Sequence, residues 1–448
     1  MLSRRIEKSP SVSEACSRFL QEIGEWVNED CIVRYSGVAP TNVHDQGTFV
    51  TGWVPYIKVT DDQKAVEFMQ GLRDNIKAHF TGNGMWKHGY WRMQEPHHGT
   101  EYFELFLGAL LEVRPDDDET IKHIVDAAEH IGNWVREIPP WFDWEKALFR
   151  AVHFGTDGIR DSDNSDVNLP DHMRFVNISL IAFRATHEQR FLDFAQLYAK
   201  QWAKAIVVGD SPPILLTQEG PLYGLQGAEE ATYRKVVTNL APDLQVAVDR
   251  AETFLASNVL NSFLEIWQLT GETVFRQATE KLLDVLVTQL HDPDAGVVAA
   301  AVRSFRDITG DGRYDQIVID AVNRLDPWAF DSLTLDPSLR LPKRPSGIGK
   351  RTDALIWLED DNPRRHNPIL LGLAAEISDD VNLATRAVDI GRMYFELARE
   401  LLPDGRDDGC AAKSVSGVAR GHGRENHAGV VTAVLKPMME IFLRSDHT

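Results

Sequence analysis

Apolar residues along this chain recur at spacings of three and four, and few stretches alternate with period two. That spacing predicts a mostly helical protein. The helices come in pairs around a short polar turn. FLGALLEVRPDDDETIKHIVDAAEHI is one such pair. ISLIAFRATHEQRFLDFAQLYAKQW, FLEIWQLTGETVFRQATEKLLDVLV, VAAAVRSFRDITGDGRYDQIVIDAV and ILLGLAAEISDDVNLATRAVDIGRMYF repeat the plan. In each, the first helix is small and apolar almost all round, and the second carries charges on one face. A helix apolar all round is buried on all sides, whereas an amphipathic one keeps a face in water. Repeating the pair builds two concentric layers, with first helices inside and second helices outside. The turns RPDDDE, ATHEQ, LTGET, ITGDG and ISDDV supply Asp, Thr and Ser suited to N-cap the second helix.

The pairs recur at roughly 50 to 90 residues, looser than an ordinary solenoid. Loose spacing means long loops between pairs, and long loops are where function tends to sit. Over about residues 60–445 the pattern resembles the α/α-toroid of many glycoside hydrolases and polysaccharide lyases. The resemblance is architectural. It implies an all-α fold, an (α/α) toroid or barrel of about six or seven helical hairpins. Residues 61–448 would be the catalytic toroid, and residues 1–60 an N-terminal helix and loop extension packed on it. The alternative is an open helical scaffold of the HEAT type. Scaffold repeats rarely carry long loops rich in Trp, His and Gly.

Charge narrows the partners. The 448 residues carry a net charge of -20, which argues against nucleic acid, since phosphate binding needs a basic surface. An anionic substrate stays open, because local Arg and His can reverse the sign inside a cleft. The three cysteines, Cys16, Cys31 and Cys410, have no metal-like spacing and are odd in number, so no disulfide framework is implied. The first residues lack an apolar secretory core, and no run of about 18 apolar residues predicts a membrane span. The expectation is a cytoplasmic protein with no membrane partner.

If the inner helices run parallel, their N-termini share one rim, and the residues just before them are chemically unusual. EPHHGTEYF brings His97, His98, Glu101 and Tyr102. NLPDHMRFVN brings Asp171, His172, Arg174 and Asn177. ASNVLNSF brings Asn258 and Asn261, and DNPRRHNPIL brings Arg364, Arg365, His366 and Asn367. The last cluster, GHGRENHAG, brings His422, Arg424, Glu425 and His427. HDPDAGVVAA is the exception, with only His291 and two aspartates. Helix N-termini add free N–H groups and a partial positive charge. Helix capping explains Asp171, Asn258 and Asn367, but His, Arg and Tyr are not preferred caps.

Other signals are weaker. His98 and Glu101, three apart, share a helical face and are the candidate ligands for a divalent metal, with no HExxH signature behind them. DSDNSDVNLPDH lacks the Gly and Glu of a calcium-binding EF-hand loop. MWKHGYWRM places Trp86 and Trp91 beside His97 and His98, as sugar-stacking or packing residues. Packing is the better reading for Trp141, Phe142 and Trp144 of PPWFDW.

Sugar-acting toroids run mainly two chemistries. A hydrolase needs two carboxylates, one protonated and one ionised; Glu101, Asp171, Asp353 and Glu425 are candidates. A lyase neutralises a uronate carboxylate and abstracts the proton beside it. The rim is richer in His, Arg, Asn and Tyr than in carboxylates. The resemblance therefore points first to a lyase cleaving a uronic-acid-containing glycan by β-elimination. His172, Tyr102, His422 and His427 are its candidate acid–base groups. Arg174, Asn177, Asn261, Arg424, Arg365, His366, Trp86 and Trp91 would bind an anionic saccharide. A glycoside hydrolase is the second reading, and a non-catalytic saccharide- or protein-binding scaffold the third.

Overall fold

The computed structural model describes residues 2–5, 12–42, 44, 46–160, 167–224, 254–255, 257–290, 296–324, 332–335 and 368–401. The chain opens with β1 (Leu2–Arg5) and α1 (Val12–Glu25). From α1 the helix runs on through a π-helical stretch, Trp26–Cys31, into α2 (Ile32–Tyr35). Hairpins of helices follow. The first is α3 (Val54–Thr60), entered through a 3-10 turn Thr48–Trp53, with α4 (Gln63–Gly82). The second joins α5 (Pro96–Glu101), a π-helical stretch Tyr102–Leu107 and α6 (Gly108–Val113) to α7 (Asp118–Ile131). The third is α8 (Met173–Thr186) with α9 (Gln189–Val208), and the fourth is α10 (Val259–Thr270) with α11 (Thr273–Leu286). Then come α12 (Gly296–Thr309) with α13 (Asp315–Asn323), and α14 (Pro368–Ser378) with α15 (Val381–Leu401). The division expected at residue 60 falls in the turn between α3 and α4.

The turns explain why the hairpins are tight. Asp61, His187, Gly271, Gly310 and Asp379 each take positive φ just past the end of a first helix, which reverses the chain in one residue. Two second helices start on the expected aspartates. Asp117 accepts from Thr120 N at 2.8 Å, and Asp380 accepts from Asn382 N at 2.8 Å. After LTGET, α11 starts without a side-chain cap.

First helices pack on first helices: α8 on α6 and α10, α10 on α12, and α12 on α14. Second helices pack outside them, α9 against α8 and α11. Ala182, Val176, Phe263, Leu264, Leu371 and Ala374 of the inner helices have no exposed surface. The two ends of the succession meet. α1 packs on both α15 and α3, and Arg392 of α15 donates to both carboxylate oxygens of Glu22 on α1. An open solenoid would leave its first and last helices apart. The sheets are small two-stranded hairpins, β2 (Trp86–Lys87) with β3 (Tyr90–Trp91), β4 (Phe142–Asp143) with β5 (Leu148–Phe149), β6 (Phe154–Gly155) with β7 (Gly158–Ile159), and β8 (Leu215–Thr217) with β9 (Gly220–Leu222). The exception is β1, which pairs antiparallel with β10 (Ser332–Leu335). Among the described residues, no helix is long and apolar enough to cross a membrane.

Candidate functional site

Three inner helices bring their first turns together around one buried polar network. On the helix that starts at Pro96, His97, Glu101 and Glu104 are spaced four and three apart and so share a face. Glu95 caps that helix, accepting from His97 N at 2.6 Å and His98 N at 3.0 Å. Tyr90 Oη donates to Gly99 O at 2.8 Å and fixes the turn from below. Glu104 lies within the π-helical stretch, a local widening that is frequent at functional sites.

The second helix supplies Asp171, Arg174 and Asn177, again three apart. Arg174 Nη1 donates to Glu104 Oε2 at 3.2 Å, and its Nε to Asp171 Oδ1 at 3.4 Å. Asn177 Nδ2 donates to the other Glu104 oxygen and, at 3.1 Å, to Ser257 O. The third helix closes the network. Ser257 Oγ donates to Asp171 Oδ1 at 2.9 Å, and Ser262 Oγ donates to Asn177 Oδ1. His97 lies between the helices, Nε2 3.4 Å from Glu101 Oε1 and Nδ1 3.9 Å from Asp171 Oδ1. At the solvent side stand His98, paired through Nδ1 with Glu95, and His44, whose Nδ1 meets Glu101 Oε2 at 2.5 Å.

The electrostatics follow from these contacts. Burial raises the Glu104 pKa, and Arg174 and Asn177 offset only part of that rise. Burial also penalises the charge on Asp171, but His97, Arg174 and Ser257 outweigh it and hold that carboxyl well below its usual range. For His97, burial and Arg174 oppose protonation; Asp171 and Glu101 prevail and raise its pKa. Glu95 is held low against its burial by His98 and His97. Two carboxyls on one guanidinium are thus pushed in opposite directions, the pattern that separates an acid from an ionised partner.

The structure uses several of the expected residues differently. His172 has no exposed surface and lies in the core, not the network. Its Nδ1 accepts from Leu169 N at 3.0 Å, its Nε2 lies 3.4 Å from Ala151 O, and Phe149 and Phe154 flank the ring. Burial pushes its pKa down to about 4. Tyr102 is likewise enclosed, packed by Trp86, Phe103 and Phe106. Trp86 and Trp91 are not a sugar platform: both are 2% exposed and pack on Phe80 and each other. Trp141 and Phe142 are buried, as packing predicts. Arg174 and Asn177 do grip one carboxylate between them, but it is Glu104 of this chain and not a uronate. His98 and Glu101 turn to different partners, and among the described residues no group of three or more His, Cys, Asp and Glu is arranged to hold a metal ion. Asn261 is exposed and donates to Asn258 Oδ1 at 2.7 Å. Arg365, His366, His422, Arg424 and His427 lie outside the described residues, as do Asp353 and Glu425.

Glu104, Ser257, Ser262 and His44 were not singled out by sequence. The available signal was the stripe of His97, Glu101 and Glu104 at helical spacing inside an otherwise apolar segment. His44 had none, being a lone histidine in a loop.

No family model matches the chain. No curated protein matches it either. Among solved structures it is similar to a D-mannose isomerase, at 11% identity and a TM-score of 0.46, over 85% of this chain and 97% of that one. It is also similar to a family 76 glycoside hydrolase from a bovine Bacteroides thetaiotaomicron strain, at 10% identity and a TM-score of 0.44, over 86% of this chain and 78% of that one.

Proposed function

We propose that this protein is a carbohydrate-processing enzyme that works by general acid–base catalysis, and that its reaction is hydrolysis of a neutral glycoside. The observation that carries this reading is the pair Glu104 and Asp171 on Arg174, with their protonation driven apart. Glycoside hydrolysis needs that division: a neutral carboxyl to protonate the leaving oxygen and an ionised one to stabilise the positive transition state. Glu104 is the acid and Asp171 the ionised partner. Arg174 fixes the geometry of both, and His97 adds positive charge beside Asp171. The plan of paired helices, which resembles sugar-acting toroids, supports the same class.

The sequence alone pointed to β-elimination on a uronate, and three of the described side chains that motivated it are engaged elsewhere. Arg174 and Asn177 serve Glu104, and His172 is a neutral core residue. With its buried cation already shared by the carboxyl groups of Glu104 and Asp171, the described cluster has little to offer a substrate carboxylate. A neutral saccharide therefore fits better than an anionic one.

The test is a panel of neutral and uronate-containing oligosaccharides, assayed separately for new reducing ends and for ultraviolet absorbance of an unsaturated uronate. Reducing ends from neutral substrates are expected. An absorbing product from uronates would restore the lyase and overturn hydrolysis.

A further inference from the structure

The loop ahead of the first hairpin is anchored near both ends and closed on itself between them. Asn42 Oδ1 accepts from Asn83 Nδ2 at 2.9 Å and lies 3.1 Å from His79 Nε2, which ties the loop to the end of α4. Gln46, itself buried, donates to Thr41 Oγ1 at 2.8 Å and accepts from Thr41 N at 3.2 Å. Gly47 takes φ 79°, and a Cβ there would lie 2.9 Å from Phe106 Cδ1, so the loop descends onto the π-helical stretch only as glycine. Between these anchors stands His44. Its Nδ1 meets Glu101 Oε2 at 2.5 Å, and its ring centroid is 3.8 Å from that of His98. The Glu101 side chain has no exposure, while that of His44 keeps 19%. A partly exposed imidazole is thus seated on a fully buried carboxylate, and the carboxylate's other oxygen faces His97.

We propose that His44 and Glu101 form a catalytic dyad in which His44 is the group that takes a proton from the attacking water. This rests on reading the cluster as a glycoside-hydrolysing site. A carboxylate at Nδ1 selects the tautomer with its proton on Nδ1 and its lone pair on Nε2. In the step, Nε2 takes a proton from water as the water oxygen bonds to the anomeric carbon. The glycosidic carbon–oxygen bond breaks, its electron pair goes to the leaving oxygen, and Glu104 protonates that oxygen. The imidazolium so formed is stabilised by ionised Glu101. It returns its proton to solvent, and Glu104 is reprotonated from solvent. Glu101 and His98 face His44 directly, with His97 and Glu95 behind them.

His44→Gln is expected to lower kcat by about 100-fold or more, the usual scale for a general base, with KM little changed. The same variant should lose the acidic limb of the pH–rate profile, because the base works only when neutral. Gly47→Ala, outside the cluster, should also lower kcat by displacing the loop. A readout independent of activity is the proton spectrum. The Nδ1–H of His44 should give a low-field resonance that disappears in His44→Gln and in Glu101→Gln. If that resonance is missing from the wild type, or if His44→Gln keeps its kcat and acidic limb, the dyad is overturned. Failure to turn over any saccharide while the resonance is present would instead overturn the hydrolytic reading of the site, and with it His44's catalytic part.

Discussion

Asp171 and His172 are neighbours in the chain and both are buried, yet they face two different regions. The Asp171 carboxylate turns toward α5 and the start of α10, where His97, Arg174 and Ser257 hold it ionised. The His172 ring turns away into Phe149, Phe154 and Phe175, with backbone groups as its polar partners. His123 repeats the second case: it packs among Trp86, Tyr102 and Phe103, and burial pushes its pKa down to about 3. His97 is also buried, but its pKa moves up. Burial sets a cost on charge everywhere in the interior, and opposite charges and hydrogen bonds close by offset it. One region is therefore built to hold charges, and the other to hold neutral rings.

The largest test of that contrast is Arg174→Ala. It leaves Asp171 and Glu104 buried without their shared cation, and should cost ~3–5 kcal/mol in urea unfolding, the usual penalty for breaking a buried pair. A loss below ~1 kcal/mol would mean that the network carries little charge. Glu104→Gln sharpens the assignment of the acid. It should lower turnover by about 100-fold or more, while stability stays within ~1 kcal/mol because burial favours the neutral carboxyl that the amide mimics. A large loss of stability would indicate an ionised Glu104.

The histidines predict opposite pH dependences. His123 binds its proton in the unfolded chain near pH 6.5 and in the folded protein only near pH 3. Its contribution to stability is therefore full above about pH 6.5 and is lost as pH falls, by up to ~1.4 kcal/mol per pH unit. His97, with a raised pKa, contributes below its unfolded value and loses that contribution as pH rises through its folded one. Urea midpoints across this range should flatten on the acid side in His123→Phe and not in His97→Gln. The smallest effect belongs to Asn261→Ala, an exposed site where stability should move by no more than ~0.5 kcal/mol. If Asn261 contacts substrate, KM rises in that variant while the fold is untouched.

The helix pairs were legible because period and turn chemistry agree, and RPDDDE and ISDDV did supply the caps. The rim was legible in part. Asp171, Arg174 and Asn177 were recognised as a cluster, with Arg174 and Asn177 expected on a substrate carboxylate; they hold a carboxyl group of the chain itself. What that carboxylate was could not be read, since Glu104 sits 70 positions from Arg174 in an apolar stretch. His172 was misplaced for a geometric reason. Successive residues point about 100° apart on a helix, so a chemically suitable neighbour can face the opposite way. Trp86 and Trp91 stayed open between sugar stacking and packing because strands of two residues are too short to show a period. His44 depended wholly on how its loop is anchored.

Nitrogen-detected titration of the histidine rings tests the account most directly. It predicts that His97 titrates above the ordinary histidine value, while His172 and His123 stay neutral down to about pH 4 and about pH 3. Loss of the His97 shift in Asp171→Asn would confirm the source of its charge. A neutral His97 that titrates with the core histidines would contradict the account, because the positive charge it assigns beside Asp171 would then be missing.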